Sequence, residues 1–330
     1  MASMKAILVE EFGEPEVLRY TDVKRPSPGP GEALIEVRSV GVNYADTMRR
    51  RNQYVTPQEL PFVPGSEVAG TVAEVGEGVE DVVAGDRVMT LLGTGGYAPY
   101  AAAPVENLMP LPEDLGFDEA AAVPLQGLTA YHVLKTSGRL SEGESVLVHA
   151  AAGGVGTLAV QMAKLLGAGK VIATASTQEK LDLARNLGAD VLINYAEDGW
   201  PKRVREATDG AGADVILEMV GGDFPEKNLS CLALFGRMVV FGAASGDRGT
   251  LVPANLLRGN QTVTGFWLPR IMGRPDLLGS SLQDILGWVA SGELRLTIGA
   301  RYPLERAAEA HTDLEGRRTT GKIVLNPPAS

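Results

Sequence analysis

One stretch constrains this chain more than any other. The apolar run Val146-Leu147-Val148 leads directly into His149-Ala150-Ala151-Ala152-Gly153-Gly154-Val155-Gly156, and a helical pattern follows from Thr157 to Leu166. A strand, a glycine-rich turn and a helix in that order form the unit that receives a dinucleotide. Gly153 lets the backbone approach a pyrophosphate, and Gly156 lets the helix pack closely on the strand. The helix N-terminus presents N–H groups and the positive end of its dipole to an anion. Ala151 stands where the fingerprint has its first glycine, so the strict pattern is missed at one position. The plainer reading is a glycine-rich turn that binds nothing. Against it stand the further apolar runs Lys170–Thr174, Val191–Asn194, Asp214–Met219 and Met238–Phe241, with a helical segment from Gln178 to Leu187. Strands apolar throughout and alternating with helices predict an α/β fold, a doubly wound parallel sheet covered on both faces.

The flanks have a different character. Ala33–Val40 and Val68–Val75 alternate apolar and polar residues, Asp86–Leu91 is a third short run, and Pro26-Ser27-Pro28-Gly29-Pro30-Gly31 is a rigid turn segment. Short strands at this spacing predict an all-β, barrel-like unit. Beyond about Gly265 the pattern turns irregular, closing with a helix near Leu304–Asp313 and a strand Lys322–Leu325. A length of 330 residues suits about two domains at roughly 150 residues each. The single Cys231 excludes an intramolecular disulfide framework and a Cys-rich zinc site. A net charge of −11 argues against a nucleic-acid partner or an anionic membrane surface, both of which call for clustered Lys and Arg. No segment reads as a signal peptide or a membrane span, so the expectation is a soluble, reduced, cytoplasmic protein.

The tip of the second parallel strand bears on cofactor choice. An NAD site places Asp or Glu roughly 20 residues past the glycines, on the ribose 2′-hydroxyl. Here Ala175-Ser176-Thr177 occupies the tip, Lys180 lies one turn into the next helix, and Tyr195 ends the third strand. A hydroxyl, a cation and a phenol suit a 2′-phosphate, which favours NADPH over NADH. The plainer readings are that Ser176 to Glu179 is an S-x-x-E capping box and that Lys180 is a solvated helix residue. Neither accounts for the missing carboxylate.

Several further stretches carry a resemblance: Gly41-Val42-Asn43-Tyr44-Ala45-Asp46, Pro64-Gly65-Ser66-Glu67-Val68-Ala69-Gly70, Val75-Gly76 through Gly85-Asp86-Arg87-Val88, Gln126-Gly127-Leu128-Thr129-Ala130-Tyr131, the Ala-Ala-x-Gly-Gly-Val-Gly turn, Gly188-Ala189-Asp190 and Thr320-Gly321-Lys322. In this order, along nearly the whole chain, they resemble the zinc-free quinone oxidoreductase (zeta-crystallin-like) branch of the medium-chain dehydrogenase/reductase superfamily. The resemblance implies a Rossmann domain, residues 126–265, inserted in a GroES-like β-barrel catalytic domain, residues 1–125 and 266–330. It also implies a homodimer through the edge of the Rossmann sheet, in the Met238–Gly265 region. Zinc-dependent relatives carry His where this chain has Ser66, a catalytic Cys near positions 41 to 43, and a four-Cys structural lobe. The chain's three histidines, His132, His149 and His311, lie far from those positions, so the resemblance implies chemistry without a metal. Glu67 survives from the ligand motif as a structural residue.

The same resemblance places the Asn43–Met48 segment and Thr129 beside the nicotinamide. It sets Asn43, Asp46, Met48, Thr129, Ala152, Gly153, Gly154, Val155, Ser176, Lys180, Tyr195, Phe241, Gly242, Phe266 and Lys322 against the cofactor. The implied activity is hydride transfer from NADPH to a quinone or similar α,β-unsaturated carbonyl. Without a metal, the oxyanion that develops needs a hydrogen-bond donor. Asn43 and Tyr44 are the candidates, with Tyr54 behind them. Asn43 reads equally well as a loop-fixing residue, and Asp46 as a structural or helix-starting carboxylate. His311 is expected on a solvated helix face, and Cys231 as a small buried residue. Arg317 and Arg318 read either as cofactor contacts from the C-terminal strand or as a solvated loop. Two rival functions stay open: an enoyl-thioester or alkenal reductase, which would need a placed proton donor, and a cofactor-loaded interaction protein without catalysis.

Overall fold

The computed structural model describes residues 2–328. The chain begins with β1 (Ser3–Leu8), β2 (Arg19–Lys24), β3 (Glu32–Val42), α1 (Tyr44–Arg50), β4 (Glu67–Val75), β5 (Arg87–Leu91), β6 (Tyr100–Pro104), β7 (Leu108–Pro110) and α2 (Phe117–Ala120). It continues through α3 (Leu128–His132), β8 (Ser145–Val148), α4 (Gly154–Leu165), β9 (Lys170–Ala175), α5 (Gln178–Asn186), β10 (Val191–Asn194), α6 (Trp200–Ala207), β11 (Ala213–Glu218), α7 (Phe224–Cys231), β12 (Leu232–Val240), β13 (Thr262–Gly265), α8 (Pro269–Met272) and α9 (Pro275–Ser291). It ends with β14 (Ile298–Pro303), α10 (Ala307–Glu315) and β15 (Lys322–Asn326).

Two compact units divide this chain: one runs to Leu125 and resumes at Thr297, the other is Gln126–Leu296. The second boundary corrects the expectation, which returned the chain to the barrel domain at residue 266. Residues 266–296 belong to the inserted unit because α9 is bonded into it. The Tyr131 hydroxyl donates to Asp284 at 2.5 Å, His132 Nε2 lies 3.2 Å from Ser281 Oγ, and Gln161 Nε2 donates to the Arg295 carbonyl at 3.0 Å. The region read as irregular thus holds the 17-residue helix α9.

In the inserted unit the strands pair in parallel in the order β10-β9-β8-β11-β12-β13. This is the doubly wound order of a dinucleotide-binding sheet, with its switch point between β8 and β11. β8 is buried along its whole length. Leu147, Ile172, Ile193, Ile216 and Met238, one from each of five neighbouring strands, share a core with Trp200, Val204 and Cys231. Burial of such side chains on both faces is what the unbroken apolar runs encode.

The other unit is built on a seven-stranded sheet ordered β14-β15-β3-β4-β5-β7, with β6 paired to β3 off that path, and a separate β1-β2 hairpin. Alternation along β3 sends Ala33, Ile35 and Val37 to the core with Ile7, Val68, Val88 and Leu325. β15, from the end of the chain, lies between β14 and β3, with Val324 opposite Gly41. Lys322, Gly41 and Glu67 are thereby brought to one end of three adjacent strands.

Candidate functional site

In the inserted unit the candidate residues gather beyond the C-terminal ends of the parallel strands, where open α/β sheets place ligands. After β8, Ala150 takes a left-handed conformation (φ 47°). The Gly153 N–H closes a turn on the Ala150 carbonyl at 2.8 Å, and the Ala151 N–H is held by the Thr174 carbonyl at 3.0 Å. α4 then starts at Gly154. Its N-cap, Gly153, provides no side-chain cap, and the first N–H groups of a helix have no intrahelical partner. A Cβ on Gly153 would meet only the Ala150 oxygen, at 3.2 Å, whereas one on Gly156 would come within 2.7 Å of Ala151 Cα. Gly156 is therefore a packing glycine and Gly153 leaves an open cradle. Ala152 is buried in the turn, and Gly154 and Val155 line the helix start.

Ser176 follows β9 directly and is half-buried. The capping alternative for it does not hold: Thr177 is the N-cap of α5, and its Oγ1 accepts the Lys180 N–H at 3.4 Å. Ser176 lies between the end of β9 and that cap. Lys180 sits half-buried in the first turn of α5. The Tyr195 N–H donates to the Ala175 carbonyl at 3.1 Å, and its ring meets Phe224 edge-on at 5.7 Å. Ser176, Lys180 and Tyr195 thus cluster at the tips of β9 and β10, and the β9 tip bears no carboxylate. Farther along the sheet, Phe241 donates its N–H to the Glu218 carbonyl at 2.9 Å, a Cβ on Gly242 would stand 3.2 Å from Met219 Cβ, and Phe266 stacks on His132 with centroids 6.4 Å apart. Thr129 is buried in α3.

Four residues that the sequence did not connect lie beneath this surface. Glu218 Oε1, at the end of β11, accepts the Val220 N–H at 2.6 Å and the Gly221 N–H at 2.8 Å, while Oε2 accepts Asn228 Nδ2. A carboxylate so placed only accepts, so Asn228 turns Oδ1 to His149 Nε2, 2.8 Å away. That nitrogen therefore carries the proton, and His149 Nδ1 accepts from the Thr174 hydroxyl at 2.8 Å. Burial pushes His149 down to about 4, which keeps the imidazole neutral. Burial also raises the Glu218 carboxyl, against the pull of its three N–H donors.

The barrel unit carries a second cluster at the N-terminus of α1. The Asn43 N–H donates to Asp46 Oδ2 at 2.9 Å. Its side-chain Nδ2 donates to the Gly41 carbonyl at 3.2 Å and to Glu67 Oε2 at 3.0 Å, and its Oδ1 accepts from Lys322 Nζ at 2.9 Å. Both amide N–H groups of Asn43 are thus engaged inside the protein, the geometry of a loop-fixing residue. Lys322, expected against the cofactor, is buried and salt-bridged to Glu67. Its position at the start of an interior strand aims the ammonium at that carboxylate. Burial lowers the Lys322 pKa and Glu67 opposes the shift. Glu67 Oε1 also accepts the Leu125 N–H at 2.6 Å. A Cβ on Gly41 would fall onto the Glu67 carboxylate and the Lys322 stem.

Asp46 is buried and accepts Ser66 Oγ at 2.9 Å and Tyr97 Oη at 3.5 Å. Burial raises its pKa despite these donors. The expectation for His311 is corrected: it is fully buried, because the Ala307-Ala310-His311 face of α10 packs inward. Arg50 can only donate, so His311 Nδ1 accepts from it at 3.0 Å, and Nε2–H donates to Tyr97 Oη at 2.8 Å. Burial, with Arg50 and Arg51 nearby, pushes this imidazole down to about 3. Arg50 also forks onto Glu315 at 3.0 and 3.1 Å. Tyr44, at the first position of α1, is half-buried, and burial followed by the Glu315 charge raises its phenol. Met48 lies one turn on, half-buried. Tyr54 lies under the Arg49 guanidinium (4.5 Å to the ring centroid), and Arg318 is paired with Asp313 at 2.7 Å. Arg317 is exposed with a left-handed backbone (φ 56°). Among the described residues, no group of three or more His, Cys, Asp or Glu side chains is arranged to hold a metal ion. Cys231 is buried, and burial pushes its thiol up to about 12.

The sequence matches the alcohol dehydrogenase GroES-like domain over residues 29–113 and the zinc-binding dehydrogenase family over residues 154–281. It is 40% identical to a quinone oxidoreductase of Pseudomonas aeruginosa, across 98% of this chain and 99% of the relative. It is 37% identical to a 2-haloacrylate reductase of Burkholderia, at 98% and 99% coverage. A mycobacterial protein solved in complex with NADPH superposes with a TM-score of 0.93 at 41% identity, covering 98% of this chain and all of that one. The fold, the glycine cradle and these matches define an oxidoreductase of the medium-chain dehydrogenase/reductase class. Within that class, the chain belongs to the quinone oxidoreductase family.

Proposed function

We propose that this protein is an NADPH-dependent reductase that passes hydride to quinones or similar α,β-unsaturated carbonyls without a metal. The observation that carries the cofactor assignment is the tip of β9: Ser176, Lys180 and Tyr195 surround a position that has no carboxylate, next to the uncapped start of α4. These residues fit NADPH. The N–H groups of Gly154 and Val155 would hold the pyrophosphate, and Lys180 with Ser176 and Tyr195 the 2′-phosphate. When bound, the cofactor supplies the hydride, which is the chemistry it brings to any fold. The protein's task is to hold the acceptor close, exclude water and meet the developing oxyanion with a donor.

Tyr44 serves as that donor in this reading, since its raised phenol stays protonated at neutral pH. Asn43 fixes the backbone beside it. One relative favours a second reading: it is a 2-haloacrylate reductase, whose named substrate carries a carbon–carbon double bond conjugated to a carboxylate, and for reduction of such a bond in this chain Tyr44 would return the proton to carbon. Steady-state oxidation of NADPH with a panel of quinones, enones, acyl thioesters and 2-haloacrylates tests both. Turnover with quinones supports the first reading, turnover with alkenes alone the second, and turnover with neither refutes both.

The working form in this proposal is a cytoplasmic homodimer. Support comes from large apolar residues exposed around the edge strand β13: Leu234 at 70%, Phe235 at 68%, Val252 at 57% and Leu257 at 78%. Gln261 donates to the Leu232 and Ala233 carbonyls, bringing the start of β12 beside the residue that precedes β13. A solution mass equal to one chain would refute the dimer.

A further inference from the structure

We propose that His149, Asn228 and Glu218, with the Thr174 hydroxyl, act as a positioning relay that holds three cofactor loops in their binding geometry. This rests on the dinucleotide reading of the inserted unit. The four side chains form one path of hydrogen bonds: Thr174 Oγ1 to His149 at 2.8 Å, His149 to Asn228 at 2.8 Å, and Asn228 to Glu218. Each end of the path grips a different loop. His149 immediately precedes Ala150, whose left-handed backbone opens the glycine turn. Thr174 stands two residues before Ser176, and its carbonyl holds the Ala151 N–H at 3.0 Å. Glu218 takes both the Val220 and Gly221 N–H groups, which fixes the turn after β11. In the doubly wound sheet these are the loops on either side of the switch point, where the ligand lies.

None of the four is offered as a cofactor contact. His149, Asn228, Thr174 and Glu218 are all buried, and His149 is boxed in by Trp200 and Phe224, each edge-on at 5.1 Å. The direction of every bond is determined. Glu218 has two N–H donors of its own loop on one oxygen, so it accepts from Asn228. Asn228 then accepts from His149, which must accept from Thr174. A relay with one allowed orientation holds its loops before the ligand arrives, and such preorganisation removes an ordering cost from binding.

The relay lies under the pyrophosphate loop rather than at the 2′-phosphate, so breaking it weakens NADPH and NADH alike. His149→Leu removes both ring nitrogens. His149→Gln retains a donor for Asn228 and an acceptor for Thr174. Dissociation constants for both cofactors, read from nicotinamide fluorescence at a temperature where every variant is folded by circular dichroism, are expected to rise about tenfold in His149→Leu. In His149→Gln they are expected to return to within about threefold of wild type. In the ligand-free protein, the Ala151, Val220 and Gly221 amides should exchange hydrogen faster in His149→Leu than in His149→Gln. A folded His149→Leu with wild-type constants overturns the relay, and so does His149→Gln behaving like His149→Leu. If His149→Leu does not fold, Thr174→Val opens one end of the path with a near-isosteric side chain. Unchanged constants in that variant overturn the proposal too. A wild-type protein that binds neither cofactor refutes the dinucleotide reading, while the exchange measurement still tests the relay.

Discussion

At the scale of single residues, the proposed reading makes cofactor preference turn on Lys180. A charge-assisted hydrogen bond from its ammonium to a 2′-phosphate contributes roughly 1.5–3 kcal/mol. At about 1.4 kcal/mol per factor of ten, that is roughly a ten- to hundredfold preference. Lys180→Ala should therefore raise the Michaelis constant for NADPH by that factor and leave the one for NADH nearly unchanged. Its half-buried position should make the preference fall as salt rises. Equal weakening of both cofactors would reduce Lys180 to a surface residue. The grouping of these residues was legible because it is local: Ser176, Lys180 and Tyr195 lie within 20 residues of one another. The capping alternative for Ser176 fails because two hydroxyls adjoin at the start of α5, and S-x-x-E does not say that Thr177 takes the cap. His311 was misjudged because its alanine neighbours on α10 make a weak apolar stripe, and only the packed barrel shows that the stripe faces inward.

At the scale of elements, the lesson is about sequence separation. The parallel strands announced themselves, since β8 through β12 are apolar runs and burial on both faces permits little else. α9 did not. Gly279 and Gly287, with a cluster of serines, dilute its helical pattern, and tertiary bonds with Tyr131 and His132 hold it in place. The Lys322–Glu67–Asn43 clamp was equally invisible, because its members meet only when β15 enters the sheet beside β3. Removing one partner of a buried ion pair costs about 3–5 kcal/mol, while replacing both can be nearly neutral. Lys322→Met should accordingly lose about that much stability in denaturant titration of the barrel unit, and Glu67→Gln with Lys322→Met should recover most of it. A single Lys322→Met variant as stable as wild type would show that the clamp is dispensable.

Over the whole molecule, the three histidines share one property: burial pushes His132 and His149 down to about 4, and His311 to about 3. Each folded value lies below the ordinary 6.5, so the unfolded chain binds more protons between the two values. The stability contributed by keeping each ring neutral is complete above pH 6.5 and is lost as pH falls toward 4. The slope is about 1.4 kcal/mol per pH unit for each histidine. The thermal midpoint should therefore drop steeply between pH 6 and 4, and His311→Gln should make the drop shallower by one proton. An equally steep drop in His311→Gln would remove His311 from this account.

The place of β15 between β14 and β3 has a consequence for biosynthesis. Glu67 leaves the ribosome 255 residues ahead of Lys322 (322 − 67). At roughly 5–20 residues per second, the carboxylate waits roughly 13–50 seconds for its counter-ion. The first strands of the barrel unit meanwhile lack the neighbour that completes their sheet. Gln126–Leu296 meets no such delay, because every strand of its sheet comes from one continuous stretch. The sheet of the inserted unit can therefore close before that of the barrel unit, which waits for β15 to be made.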